Sequence, residues 1–250
     1  MPTTLAERMK SYEQTYETSL PRRTYTLFRL DGRAFSKYTR GMDKPFDMRF
    51  VAAMDETAKA LCREITGTCF AYTQSDEISL LVTDFATHAT QPWMGGRTAK
   101  MLSLSAARAT AAFNTSIDVA TYGAATFDSR VWTMSDPNEV ANYFIWRQRD
   151  AIKNSISMLA SHYFTHSELQ GKMTKDRVQM LKDINVDWFE KPTGVRHGRV
   201  AHRHAEMRSS GVRSSWRVFD APPFKIIPGD WLPSMIPPLP SLPRDVQDAS

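Results

Sequence analysis

Strand, helix, strand, strand, helix, strand is the order that the first part of this 250-residue sequence predicts. That order belongs to an α+β fold built on a ferredoxin-like, split βαβ sheet. Two observations carry it. Apolar runs rich in β-branched and aromatic residues recur on either side of segments whose apolar positions fall at helical spacing, and an acid closes two of the strands.

Residues 24–30, "TYTLFRL", read as the first strand. From Met48 the apolar positions Val51, Met54, Ala58, Leu61, Cys62 and Ile65 lie on one helical face, and Gly67 stops the helix. Residues 68–72 and 78–85 form a hairpin around Ser75-Asp76-Glu77. Residues 97–113, dense in Ala, Leu and Met, predict the second helix. Residues 124–132 supply a fourth strand. Asp136-Pro137 then reads as a cap and first-turn proline opening a long helix toward Phe164, with a shorter helix over 175–183. Residues 1–135 are thus the expected core, 136–232 a helical and basic extension of it, and 233–250 a proline-rich loose tail.

A hydrophobic share of 42% in 250 residues is enough to bury a sizeable core, so the chain is globular. Cys62 and Cys69 are too few for a disulfide framework or a cysteine zinc site. The opening "MPTTLAERMKSYEQTYE" has no signal-like apolar stretch, and no uninterrupted apolar run reaches the roughly 18 residues of a membrane span. A soluble protein in a reducing, cytoplasmic setting is expected. The net charge of +5 matters less than its distribution. Residues 191–217 hold Lys191, Arg196, Arg199, Arg203, Arg208, Arg213 and Arg217 against Glu206 alone, which fits either a polyanion partner or a solvated basic loop.

The acids pose the functional question. Asp31-Gly32 ends the first strand and Asp76-Glu77 sits at the hairpin tip, and in a split βαβ sheet those two strands are neighbours. Asp31, Asp76 and a backbone carbonyl at Gly32 would suit Mg²⁺, a hard ion that completes its shell with water and phosphate oxygens. A nucleoside triphosphate is then the natural substrate, and two such ions can clamp an in-line displacement at phosphorus. Lys44, Arg97 and Lys100 are candidates to neutralise the triphosphate or are plain surface charges. His197, His202 and His204 lack the partners of a zinc site. Trp188, Trp216 and Trp231 are either core or base-stacking residues.

The strings "RLDGRAF", "DKPFD", "YTQSDEISLLV", "FDSRV" and "YFIWRQRDAIKNS" occur in the order and spacing of the tRNA-histidine guanylyltransferase family, and residues 24–188 resemble it. The resemblance implies a polymerase-type palm that adds nucleotides to the 5′ end of tRNA in the 3′–5′ direction, with two Mg²⁺ ions, ATP and GTP as substrates, and a homotetrameric assembly. It maps catalytic acids onto Asp31, Asp76 and Glu77, and metal ligands onto Asp31, the Gly32 carbonyl and Asp76. Nucleotide contacts map onto Asp31, Gly32, Arg33, Ala34, Phe35 and Ser36 and onto Ser75 and Asp76. RNA contacts are expected from Arg130, from the helix face of Arg147, Asp150 and Asn154, and from Arg196, Arg199 and Arg203.

Departures narrow the expectation. Eukaryotic histidine-tRNA enzymes carry H-I-N-N-L-Y-N where this chain has Ile152-Lys153-Asn154-Ser155-Ile156-Ser157, and Ala34 and Ser36 replace a polar residue and a histidine. The pattern is similar to that of the bacterial, archaeal and viral guanylyltransferase-like proteins, which favour templated repair of truncated tRNA 5′ ends. Two alternatives stand beside it. A nucleotide-cyclase-like palm would place a G-G-D-E-F-like turn where Q-S-D-E stands, and a non-catalytic RNA-binding protein would have no use for clustered acids that repel one another.

Overall fold

The computed structural model describes residues 4–208 and 211–240. In chain order the elements are α1 (Leu5–Gln14), β1 (Tyr25–Gly32), α2 (Phe35–Tyr38), α3 (Met48–Glu64), β2 (Thr68–Gln74) and β3 (Glu77–Thr83). There follow α4 (Thr98–Ser116), α5 (Val119–Tyr122), β4 (Phe127–Met134), α6 (Pro137–Tyr163), α7 (His166–Leu169) and α8 (Thr174–Asp183). α9 (Thr193–His197), β5 (Arg199–Arg208), β6 (Gly211–Asp220) and α10 (Trp231–Met235) close the described chain. No described helix is long and apolar enough to cross a membrane.

Local chemistry sets the ends. The Asp47 carboxylate accepts from the amides of Arg49 and Phe50 and so caps α3. Gly67 then turns the chain into β2 at φ +87°, where a Cβ would lie 2.1 Å from the Thr83 carbonyl oxygen, so only glycine fits. At α6, Asp136 accepts from Asn138 N–H and Pro137 occupies the first turn, as the sequence predicts.

The six strands form one antiparallel sheet in the order β4-β1-β3-β2-β5-β6. Because side chains alternate across a strand, each central strand feeds two cores. Phe28, Leu30, Ile78 and Leu80 pack on one face with α3 and α4. Tyr25, Leu27, Phe70 and Leu81 pack on the other with α6 and the C-terminal segment.

Two expectations are corrected here. Part of the basic stretch of residues 191–217 is neither helical extension nor loop but the β5–β6 hairpin, which joins β2 through Phe70↔His202 to Thr73↔Arg199. Its apolar signal is short, Val200-Ala201 in β5, buried on opposite faces, and Trp216, Val218 and Phe219 among the charges of β6. The expected loose tail is docked at its start. Leu232 and Ile236 are buried, and the Tyr25 hydroxyl donates to the Pro237 carbonyl at 2.6 Å; residues 241–250 lie outside the described part. Trp188 is buried and Trp231 packs edge-on against Phe70, so both fill cores.

Candidate active site at the tip of the central hairpin

β1 and β3 end together. Asp31 lies opposite Glu77 on one side and opposite Asp128 of β4 on the other, and the Gly32 N–H donates to the Asp76 carbonyl at 3.1 Å. The β2–β3 turn is tight because Ser75 adopts φ +51°. Asp31 and Asp76 are therefore brought together, as the sequence predicts. Burial pushes the Asp76 carboxyl above the ordinary range, and the Asp31 carboxylate adds to the rise.

The segment after Asp31 is shaped by one ring. A Cβ on Gly32 would lie 2.3 Å from Cδ2 of Phe35, whose ring is locked against Tyr38, Phe50, Phe113 and Phe127. Ala34 turns the chain in the left-handed region, at φ 57°. The first-turn amides of Phe35 and Ser36 have no acceptor within α2, while Arg33, Ala34 and Ser36 are exposed around them. Backbone N–H groups on a rigid floor beside two carboxylates form a cradle for phosphate oxygens. Gly32→Ala is expected to cost about 1–3 kcal/mol by overpacking against Phe35, a loss that denaturant unfolding measures.

Glu77 occupies a different environment from the one expected of an open catalytic acid. Arg147 grips it with two bonds, Nε to Oε1 at 2.7 Å and Nη2 to Oε2 at 2.6 Å, and Arg29 adds a third contact at 2.8 Å. Arg29 also reaches Asp31 at 3.2 Å, and Arg147 reaches Asp150 at 3.1 Å. Burial pulls the Arg147 guanidinium toward deprotonation, but the Glu77 bonds and charge outweigh it and hold its pKa up. Glu77 thus ties α6 to the strand ends rather than facing the cleft, and Arg147, 7% exposed, is a clamp rather than an RNA contact.

Other expected residues divide by position. Lys44 lines a pocket of about 70 Å³ with Asp47, Phe50, Gln74 and Ser75, beside the acid-bearing turn. Arg97 and Lys100 are not brought to the acids within one chain. α4 covers the face opposite Asp31, and Ser105 Oγ bonds Ser129, which pairs with Leu30; Arg97 lies about 12 Å further back along the helix at 1.5 Å per residue. Its guanidinium meets Glu17 instead. Arg199, 7% exposed, donates to Asp55 at 2.5 Å and to the Gly194 carbonyl, so it is structural, not an RNA contact. Arg196 lies over the Trp188 ring, with its Nε on the Lys191 carbonyl. Arg203 sits over Trp216 and stays exposed, as do Arg130 and Asn154, while Asp150 is half-buried.

Sequence reasoning misses Arg29 and Asp128. A signal for Arg29 exists: it precedes Asp31 by two on a strand and so shares its face.

The donor set fits Mg²⁺. Among the described residues no three His, Cys, Asp or Glu side chains form a closed metal cage, and two carboxylates beside a phosphate cradle are what an ion that keeps waters and phosphate oxygens requires.

Comparison with known proteins gives the family. The family model described as Thg1, tRNAHis guanylyltransferase, matches residues 6–135. A bacterial tRNA(His) guanylyltransferase (Thg1)-like protein solved in complex with ATP is 35% identical, with a TM-score of 0.84 over 94% of this chain and 99% of that chain. A bacterial Thg1-like protein in complex with GTP is 37% identical, with a TM-score of 0.78 over 88% of this chain and 94% of that chain. The tRNA(His) guanylyltransferase of Schizosaccharomyces pombe is 30% identical, covering 78% of each chain. The matched residues run from α1 through β4 and contain both Asp31 and Asp76, so this chain belongs to the tRNAHis guanylyltransferase (Thg1) family of nucleotidyltransferases.

Proposed function

We propose that this chain is a Mg²⁺-dependent enzyme that adds nucleotides to the 5′ end of tRNA in the 3′–5′ direction, with repair of truncated tRNAs as its main task. The convergence of Asp31 and Asp76 at one sheet end, beside the Gly32–Ser36 cradle, carries this proposal. The strand order β4-β1-β3-β2, with α3 and α4 on one face, supports a ferredoxin-like, polymerase-type palm. Ile152 in place of the family's motif histidine favours repair over histidine-tRNA G−1 addition.

Asp31 and Asp76, with the Gly32 carbonyl, would hold the ions, which supply Lewis-acid stabilisation of the charge that builds on the phosphate oxygens. The chain's own residues do the positioning. Backbone amides of residues 34–36 face the triphosphate, Arg33 and Lys44 neutralise it, and the Arg29–Glu77–Arg147 clamp fixes the strand ends against α6. In activation, an oxygen of the RNA 5′-phosphate attacks the α-phosphorus of ATP or GTP and pyrophosphate leaves. In extension, the 3′-hydroxyl of the incoming nucleotide attacks the RNA 5′-phosphorus, loses its proton and displaces the nucleoside monophosphate. Both are substitutions at phosphorus, so one centre serves both by positioning and charge neutralisation. We place the enzyme in the cytoplasm as a homotetramer, closed symmetric assemblies being the usual form of oligomer.

The test uses 5′-labelled histidine tRNA transcripts, one full-length and one lacking its first nucleotide, with Mg²⁺ and nucleotides. Filling of the truncated RNA according to the opposing 3′ strand is expected. Addition only of G opposite the discriminator position would favour the histidine-tRNA role. Failure to extend even a 5′-triphosphate RNA would overturn polymerisation and leave a cyclase-like or RNA-binding scaffold.

A further inference from the structure

The long helix α6 carries two opposed stripes. Val140, Phe144, Gln148 and Ala151 face the core, while Asn142, Trp146, Arg149 and Lys153 fall on the outward side at helical spacing. Trp146 is 54% exposed, although large aromatics are usually covered. It forms one wall of a groove of about 550 Å³ with Asn142, Ile145 and Arg149, and the chain at Phe224 and Lys225 forms the opposite wall. That volume lies within the span of small-ligand sites, about 300–1,000 Å³.

The groove is built and not merely open. Gln148 accepts from the Phe224 amide at 2.7 Å and donates to the Pro222 carbonyl at 2.9 Å, which pins the far wall to the helix. Phe224 stacks on Trp231 at 5.7 Å. Arg149, Lys153 and Lys225 make no ion pair among the described residues, and the acid of this stripe, Glu139, is engaged by the Asn142 side chain at 2.9 Å. Trp146 is also coupled to the acids. The Arg147 guanidinium lies 4.5 Å from its ring centroid and bonds Glu77, the neighbour of Asp76.

We propose that this groove binds the unpaired 3′ tail that runs past the 5′ end of the acceptor stem, with a base on Trp146 and phosphates on Arg149 and Lys225. The proposal rests on the tRNA 5′-extension reading above. An indole beside unpaired cations is the composition that takes single-stranded nucleic acid, since every base offers a π-face and every linkage a charge. A duplex hides its base faces, so only unpaired nucleotides can stack there. The contacts from Trp146 through Arg147 and Glu77 to Arg29 and Asp31 link the groove wall to the strand end that bears the acids.

The experiment compares two labelled acceptor-stem hairpins, one blunt and one with a single-stranded 3′ tail, for binding by anisotropy and for 5′ extension. The wild-type protein is expected to bind the tailed RNA more tightly. Trp146→Ala is expected to remove at least about fivefold of that preference and Trp146→Phe to keep most of it. Both variants are expected to keep the wild-type affinity for blunt RNA and a cooperative thermal transition, which shows that they fold. Trp146→Ala lowers the midpoint through the lost contacts with Arg147 and Tyr143, and Trp146→Phe does so less. Arg149→Ala with Lys225→Ala is expected to flatten the salt dependence of tailed binding by about 0.7 for each phosphate left without its cation. Equal wild-type affinity for both RNAs, or a preference that survives Trp146→Ala, overturns the groove assignment. Extension without tail preference sinks this inference alone. Tail preference without extension of either RNA upholds the groove and sinks the polymerase reading.

Discussion

Asp76→Asn is expected to slow 5′ nucleotide addition by at least about a thousandfold, roughly 4 kcal/mol of lost transition-state stabilisation, while leaving the fold as stable as before or more so. The two effects have one cause. Burial disfavours the Asp76 carboxylate, and the Asp31 charge beside it disfavours it further. A raised carboxyl pKa in the folded state means that the ionised form costs stability at pH 7, so a neutral amide of the same shape relieves that cost. Such strain is tolerated where a bound cation compensates it, which is why activity and stability should move in opposite directions. Single-turnover extension of 5′-labelled tRNA gives the rate, and thermal unfolding without divalent ions gives the stability. Retained activity would remove Asp76 from the metal site. Lost activity accompanied by a lower unfolding midpoint would make the acid a structural residue.

The four-strand core is legible in the sequence because its signals are local. The apolar runs around Phe28 and Leu80, the helical face from Val51 to Ile65, and the Asp136-Pro137 cap each specify an element within a few residues, and the structure has them within about three positions. The convergence of Asp31 and Asp76 is legible for the same reason, because both sit at ends of strands that the element order makes neighbours. The β5–β6 hairpin is not. Its strands are dominated by Arg, His and Ser, and Val200 and Ala201 are buried only because β2 lies beside them, a fact of tertiary pairing. Charged residues mislead for a related reason. Arg147 and Arg199 look like partners for a polyanion, yet each is buried against an acid from a distant part of the chain, Glu77 and Asp55. Nothing in a local window distinguishes them from exposed Arg149 or Arg203. Arg97 and Lys100 mislead because their spacing shows a shared helix face but not which face of the sheet the helix covers.

Arg147→Ala is expected to be the most destabilising single change at the site, costing about 3–5 kcal/mol, the range for removing one partner of a buried ion pair. Glu77 would keep the Ser79 hydroxyl and, as its one ion-pair partner among the described residues, Arg29, whose Nη2 it already shares with Asp31 and whose Nε is buried without a partner. The Tyr143 hydroxyl, which meets Ser79 at 2.8 Å beside the Glu77 carboxylate, belongs to the same tie between α6 and β3. Glu77→Ala alone leaves two guanidinium groups facing each other, so it too destabilises, and the double variant should cost less than the sum of the two. A double-mutant cycle in urea measures that coupling, and additivity would show that the clamp contributes nothing as a pair. The Mg²⁺ dependence separates the clamp from a ligand role. If Glu77 acts by fixing the strand ends, Glu77→Ala and Arg147→Ala lower the extension rate together and leave the half-saturating Mg²⁺ concentration within about twofold. If Glu77 leaves the clamp to coordinate an ion, its removal alone raises the Mg²⁺ requirement at least about tenfold, since even residues that merely orient a metal ligand are worth about 10–100-fold in affinity, and Arg147→Ala, by freeing the carboxylate, lowers it.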